Sequence, residues 1–386
     1  MKFRITRPIW VLSLISMFTD IASEMLYPVM PIYLESIGFS IILIGVLEGV
    51  AEAISGLSKG YFGHWSDEVG QRIPFIRWGY GLSGISRPLL AIYAHPLWVF
   101  MARTMDRFGK GLRTGARDAM LSDLSQGQNR AAVFGFHRAM DTLGAVIGPG
   151  LALLYLHYLP GQYKELFLWA ILPGIIAVAL TYLLTEVKKI KTLHHHTPLF
   201  AAFAYWKKSP AAYKKLSGAL LVFALINSSD VFLLLRLKDA GWEDTSVIGL
   251  FMFYNLFYAA AAYPMGLIAD RFSLKQVFLF GLVVFATVYA GFSLGNSDIL
   301  FIVLFALYGL YSAATQGIVK AWISGMAAKG DTATAIGTYS GFESIATFLA
   351  STVAGIIWFT LGPEATLGFS AFVALLVAGY IYKKVV

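Results

Sequence analysis

Runs of about twenty apolar residues follow one another along the whole chain, separated by short polar breaks. In hydrocarbon only structures that satisfy every backbone N–H and C=O internally survive, which leaves helices or closed barrels. A barrel would need alternating strands of roughly ten residues, a pattern the sequence lacks. With 58% hydrophobic and 13% charged residues, the chain also lies far from soluble domains, where about a quarter of the residues are charged. The expected fold class is therefore an all-α membrane protein. Twelve spans are expected, at about 9–36, 41–63, 74–94, 97–118, 131–156, 166–185, 215–238, 247–268, 276–294, 299–322, 334–358 and 364–382. Span four is the least apolar, because Arg103, Asp106, Arg107 and Lys110 interrupt it. The first run continues to Leu34 without a small-residue cleavage site, so it reads as a retained helix and not as a signal peptide.

Two short passages repeat about 200 residues apart. Gly63-His64-Trp65-Ser66-Asp67 continues through Gly70 to Arg72, and Gly266-Leu267-Ile268-Ala269-Asp270 continues with Arg271. Each places Gly, then Asp four residues on, then a cation, directly after a long apolar run. Such a recurrence at half-length implies two related halves. The expected division is 1–185 for an N-terminal six-helix bundle, 186–214 for a polar linker and 215–386 for a C-terminal six-helix bundle. The linker carries Lys188, Lys189, Lys191 and His194-His195-His196. A solvated stretch accounts for the His run better than a metal site, and Phe200 to Trp206 suits a short helix on the membrane surface.

With both termini placed in the cytoplasm, nearly all loop cations fall inside, and the outer loops hold only Lys164 and Lys238, with Arg236 near a helix end. This positive-inside asymmetry accounts for the net charge of +8 without nucleic acid. The chain has no cysteine, hence neither disulfides nor thiolate metal sites. It also lacks H-E-x-x-H, G-x-S-x-G and G-x-x-x-x-G-K-[ST] patterns, which argues against an enzyme or an ATP-driven pump. No cofactor or metal is expected.

Ionisable residues inside the spans are the strongest pointer to function. A charge there costs at least a few kcal/mol unless it is paired or hydrated, so such groups should face an internal cavity. Asp20 and Glu24 share one face of span one, as Glu48 and Glu52 do on span two. Asp141 lies in span five one turn after His137, while Asp230 and Glu343 interrupt spans seven and eleven. A carboxyl whose surroundings alternate can bind and release a proton. Asp20 and Glu24, then Asp141 and Glu343, are the candidate proton carriers. Arg103, Asp106, Arg107 and Lys110 share one face of span four and supply counter-charges. Arg138 and Asp141, three apart, could neutralise each other. Asn227, Asp230, Tyr254, Asn255, Tyr258, Tyr311, Gln316 and Trp322 could line a cavity, the amides most of all because an unpaired amide in hydrocarbon is costly. Glu52, Arg103 and Arg107 join Asn227, Asp230, Tyr254, Asn255 and Gln316 as candidate substrate contacts.

Small residues also mark packing faces. Gly63 and Gly266 allow helices to approach closely, and Asp67 and Asp270 can cap a helix end or pair with Arg. Gly63, Asp67, Gly70, Arg72, Gly266, Asp270 and Arg271 are thus candidate gating residues. In span five Gly135, Gly144, Gly148, Pro149 and Gly150 form G-x8-G-x3-G-P-G, in which Gly144, Gly148 and Pro149 could seal or hinge the opposite side.

The paired loops resemble the loop signature of the major facilitator superfamily (MFS). Arg103 resembles that family's fourth-helix arginine, and the Gly-Pro pattern resembles its antiporter motif, although Leu151 stands where a further Gly can occur. Phe18-Thr19-Asp20-Ile21-Ala22-Ser23-Glu24-Met25 and Phe136-His137-Arg138-Ala139-Met140-Asp141-Thr142 resemble a group of bacterial members, mostly exporters. The resemblance implies two pseudo-symmetric six-helix bundles rocking about a central site, and a role for Arg103 in proton transfer or anion binding. Glu68 and Gln71 depart from the cations common in the loop signature, which weakens the expected latch. The resulting expectation is a monomeric secondary transporter of the bacterial inner membrane, exporting a small organic compound in exchange for protons. The alternative is proton-coupled uptake of a small, possibly anionic, nutrient or metal chelate.

Overall fold

The computed structural model describes residues 5–26, 30, 33–34, 38, 41–93, 95–125, 129–186, 201–328 and 330–385, with the side chains at 41–49, 52–53, 201–203 and 244–245 left aside. Among the described residues the regular structure is entirely helical. In chain order the helices are α1 (Arg7–Glu24), α2 (Ile41–Val69), α3 (Ile73–Ile92), α4 (Pro96–Leu124), α5 (Arg130–Tyr158), α6 (Tyr163–Trp169) and α7 (Ile171–Thr181). They continue with α8 (Ala201–Lys208), α9 (Ala211–Ala224), α10 (Val231–Asp239), α11 (Asp244–Arg271), α12 (Leu274–Leu294), α13 (Asp298–Met326) and α14 (Thr332–Lys384).

Each expected span overlaps helix among the described residues. Six stretches among the described residues are both long and apolar enough to cross a membrane: α5, α6 with α7, Ser246–Arg271, α12, α13 and α14. The last holds two spans, because Gly362 adopts φ +89° and the following Pro363 has no N–H to continue the ladder. Proline at the first helical turn starts α1, α3 and α4.

Several expected boundaries differ: α2 runs on to Val69 and α11 to Arg271, so Asp67 and Asp270 lie in the last helical turns and not in loops. Helix α1 stops at Glu24 instead of continuing to 36, and most residues between 27 and 40 lie outside the described set. Helix α4 extends to Leu124, beyond the expected end at 118. Span seven is broken into α9 and α10, with residues 225–230 non-helical between them. The break carries Asn227-Ser228-Ser229-Asp230, whose short polar side chains compete with the helix for backbone groups. Ser229 Oγ accepts from Val231 N at 3.4 Å, and Ser351 Oγ accepts from Ser229 N at 3.1 Å.

The chain forms two compact units that exchange short segments. One comprises Met1–Gln126, Met140–Lys208 and Ala328–Gly341; the other comprises Gly127–Ala139, Ser209–Ala327 and Phe342–Val386. In the first unit α4 packs along α3 and α2, and α1 along α7. Helix α4 turns its charges inward: Arg113, Arg117 and Asp118 are buried while Leu97 and Met101 are exposed, so its polarity is the reverse of a soluble helix. Glycines allow this close contact. A Cβ on Gly109 would meet Gly79 O at 2.7 Å, and one on Gly111 would meet Ser58 Cβ of α2. In the second unit α13 packs against α11 and α12.

Helix α5 crosses α1 in the same manner. A Cβ at Gly148 would lie 2.7 Å from both Ile21 O and Met25 N, backbone atoms that cannot swing aside. Gly148→Ala is therefore expected to destabilise the protein by about 1–3 kcal/mol through overpacking. Gly249→Ala in α11, where a Cβ meets nothing within 4 Å, should be neutral or stabilising by up to about 1 kcal/mol. Thermal unfolding of the two purified variants in detergent measures the contrast.

Candidate functional site

Three groups of polar residues stand out, the first two in different units and the third formed by the repeated passages.

In the first unit, carboxylates and cations from α1, α3, α4 and α5 converge. The charges acting on Asp20 are the carboxylates of Asp141 and Glu24 and the cations Lys110 and Arg113. Glu24 feels Lys110, Arg107, Arg87 and Arg103. Its position on the last turn of α1 opposes the helix dipole, so those cations are its main electrostatic support. Arg87 Nη2 approaches Asp106 Oδ1 at 3.8 Å, both in the interior. Arg113 donates to Ser83 Oγ at 2.6 Å and lies 4.4 Å above the Tyr80 ring. Arg117 donates to Asp118 Oδ1 at 2.9 Å and to Ser16 Oγ of α1 at 3.1 Å. Gly144 brings α5 against the backbone of Met17 and the Cβ of Asp20, and Asp141 itself is buried. The opposite face of α1, with Phe18, Ile21 and Met25, borders a separate cavity of about 600 Å³ whose lining is apolar throughout.

The structure thus brings together Asp20, Glu24, Asp141, Arg103 and Arg107 of the sequence candidates. Glu48 and Glu52 lie on α2, but their side chains fall outside the described residues. The sequence reading missed Arg87, although an Arg in the interior of apolar span three was a visible signal.

In the second unit Tyr308 donates to Asp230 Oδ1 at 2.5 Å, and the Tyr254 hydroxyl lies 3.2 Å from Ser312 Oγ. Tyr254, Tyr308 and Tyr311 form a continuous aromatic wall, with ring centroids 5.0 Å apart for the first pair and 5.4 Å for the second. Asn255 is buried and donates to Phe251 O at 3.0 Å, one turn back on its own helix. Gln316 Oε1 accepts from Arg138 Nη2 at 2.5 Å. Glu343 is half-buried on α14 in this unit. Tyr308 was missed in the sequence, yet it lies one turn before Tyr311 and shares its face.

The third group is the repeated passages, each of whose aspartates caps a distant helix. Asp67 Oδ2 accepts from Thr334 N and Thr334 Oγ1, both at 2.7 Å, at the start of α14. Its Oδ1 accepts from Arg72 Nη2 at 2.5 Å. Arg72 also donates to Ser66 Oγ and approaches Asp123 at 3.8 Å, and Glu186 accepts from the backbone N–H groups of Arg72 and Ile73. In the second copy Asp270 accepts from Ala131 N at 3.0 Å and Ala132 N at 2.7 Å, at the start of α5. A carboxylate at a helix N-terminus satisfies orphan donors and opposes the positive dipole end.

The glycines explain the approach. A Cβ on Gly63 would lie 2.5 Å from Ala333 O, and one on Gly266 would collide with Ala131 O. Gly70 turns the chain at φ +68°. The two copies differ in their cations: Arg72 is 2% exposed and ion-paired, whereas Arg271 is exposed and stacks on Phe272 at 5.7 Å. The linker helix α8 packs against α2, and burial, with Asp331 and Asp67 nearby, pushes the Tyr205 phenol up.

Removing Asp67 strands a buried guanidinium, whereas removing Asp270 strands only two amides. Asp67→Ala should therefore cost about 3 kcal/mol and Asp270→Ala about 1–2 kcal/mol. Unfolding of the two variants in detergent, compared at matched pH, checks the order.

The sequence profile described as Major Facilitator Superfamily matches residues 12–254 and 231–385. The MFS-type transporter MJ1317 of Methanocaldococcus jannaschii is 30% identical over 96% of this chain and 93% of its own. The inner membrane transport protein YajR of Escherichia coli is 24% identical over 91% of this chain and 77% of its own. Among solved structures, the human organic anion transporter MFSD10 superposes with a TM-score of 0.80 at 17% identity, over 97% of this chain and 98% of that one. An all-helical structure among the described residues, repeated Gly–Asp signatures that cap helices, and a family profile running almost end to end make this chain a member of the Major Facilitator Superfamily, a membrane-embedded transporter and not an enzyme.

Proposed function

We propose that this transporter is a proton-coupled antiporter that exports a small organic compound by alternating access. We place it in the bacterial inner membrane, as a monomer with both termini in the cytoplasm. The observation that carries this reading is the meeting of Asp20, Glu24 and Asp141 with Lys110 and Arg113. Three carboxylates crowded together repel one another when all are ionised, and cations a short distance away compete with a proton for them. A rearrangement of α1 against α4 or α5 would change which of the two a carboxylate holds, so proton binding and conformation become linked.

Alternating access also needs contacts that hold one state and release in the other. The Asp67 and Asp270 caps suit that task, since each is a small set of hydrogen bonds between the last turn of one helix and the start of another. They lie where the positive-inside pattern puts the cytoplasm. The Gly144–Gly148–Pro149 face would serve the other side.

A second reading, uptake of a small anionic nutrient, draws on Arg87, Arg103 and Arg107 around Glu24. The relative MFSD10 is by its title an organic anion transporter.

A thermal-shift screen of the purified protein supplies a ligand, and proteoliposomes with an imposed pH gradient then separate the readings. Antiport accumulates the ligand on the acidic side, and uptake accumulates it on the other. Asp20→Asn and Glu24→Gln should each lower pH-driven flux at least ten-fold, a loss of about 1.4 kcal/mol or more in coupling, while ligand counterflow without a gradient persists. Wild-type pH dependence in both variants would remove these residues from the proton path.

A further inference from the structure

We infer that the break between α9 and α10 is a subsite for an organic ammonium group, with Asp230 as its counter-charge and the Tyr254–Tyr308–Tyr311 wall as its aromatic face. The inference deepens the proposed transport of a small organic compound, and rests on it, by naming the charge that compound carries.

The carboxylates of the first unit are ringed by cations, and Asp230 differs from them. Its hydrogen bond comes from a neutral tyrosine hydroxyl, and no Lys, Arg or His forms an ion pair with it among the described residues. Three residues earlier in the same break, Asn227 Oδ1 is buried and accepts no hydrogen bond among the described residues. Among the described residues the break therefore holds a carboxylate without a cationic partner and an amide oxygen without a donor, three residues apart. An isolated carboxylate in a membrane interior costs several kcal/mol, and a ligand bearing a positive charge is the economical way to offset it.

The surrounding chemistry selects the kind of cation. Tyr254, Tyr289, Tyr308 and Tyr311 all lie within electrostatic reach of Asp230. Aromatic faces attract weakly hydrated, carbon-clad cations, whereas a small metal ion needs several oxygen ligands. Asp230 and Asn227 are half-buried as residues, whereas Tyr254, Tyr308 and Tyr311 are 2–3% exposed, so the carboxylate is the group a ligand meets first and the rings stand packed behind it. Interrupted helices are also where membrane transporters expose polar backbone to a ligand.

The test is calorimetric titration of the full-length protein in nanodiscs, without any gradient. The probes are benzyltrimethylammonium chloride, benzyl alcohol, sodium benzoate and sodium chloride. The expected result is binding of the ammonium salt alone, at least ten-fold weaker in Asp230→Asn and about three-fold weaker in Tyr308→Phe. Undiminished ammonium binding in Asp230→Asn overturns the proposal, as does absence of ammonium binding to the native protein. Equal binding of benzyl alcohol or benzoate also overturns it. An Asp230-dependent heat from sodium chloride alone would make this an inorganic cation site and overturn it too. Should Asp230→Asn fail to fold, the charge preference of the native protein and the loss in Tyr308→Phe decide the matter. Ammonium binding as expected, without proton exchange in proteoliposomes, would defeat the antiport reading and leave the subsite standing.

Discussion

A carboxylate in hydrocarbon must be answered by a cation, a donor or a proton, and the architecture follows from how each one is answered. Asp67 is answered by a guanidinium and two donors at a helix start, and Asp270 by two backbone amides. Asp20 and Glu24 are answered by cations of α4 and, for Glu24, by Arg87 of α3. Asp230 is answered by one phenol. The first kind of arrangement is saturated and suits a strut or latch. The others leave room for exchange, because the partner can be replaced by something that comes and goes.

Close backbone contact makes those arrangements possible. The Asp67 cap requires Gly63 to let the start of α14 approach, and the Asp270 cap requires Gly266 to do the same for α5. Two stretches of chain about 200 residues apart thus reach the same solution with the same pair of residues four apart. The copies then diverge in the cation, buried as Arg72 and exposed as Arg271. One cap is consequently an ion-paired network that includes Asp123 and Glu186, and the other is a plain helix cap. The two helix starts are thus held with unequal strength, and in the proposed alternating-access cycle they release at unequal cost.

Much of this was legible beforehand, for definable reasons. Helical spans follow from apolar runs because lipid removes the alternatives. The aspartates of the repeated passages were readable because Gly and Asp at fixed spacing carry a backbone meaning that does not depend on neighbours. The break at Asn227-Ser228-Ser229-Asp230 was not read, because the flanking residues are apolar enough to carry a continuous span through it. Arg87 and Tyr308 were missed for another reason. Each acts through a partner far along the chain, Asp106 in one case and Asp230 in the other. Asn255, whose amide is costly in hydrocarbon, donates to the carbonyl of Phe251 one turn back on its own helix.

Helix α4 joins these strands of the argument. Its charges made it the least convincing span by composition, and those same charges are what α1 needs. An inward cationic face is tolerable only if the outward face is apolar and neighbouring helices come close enough to exclude lipid from the charges. Leu97 and Met101 meet the first condition and the glycine contacts with α2 and α3 meet the second. In the proposed antiport cycle, a motion that separates α4 from α1 leaves Asp20 and Glu24 without their cations, and protons take their place. On that proposal, the packing that makes the helix stable in the membrane also ties a change of shape to a change of charge.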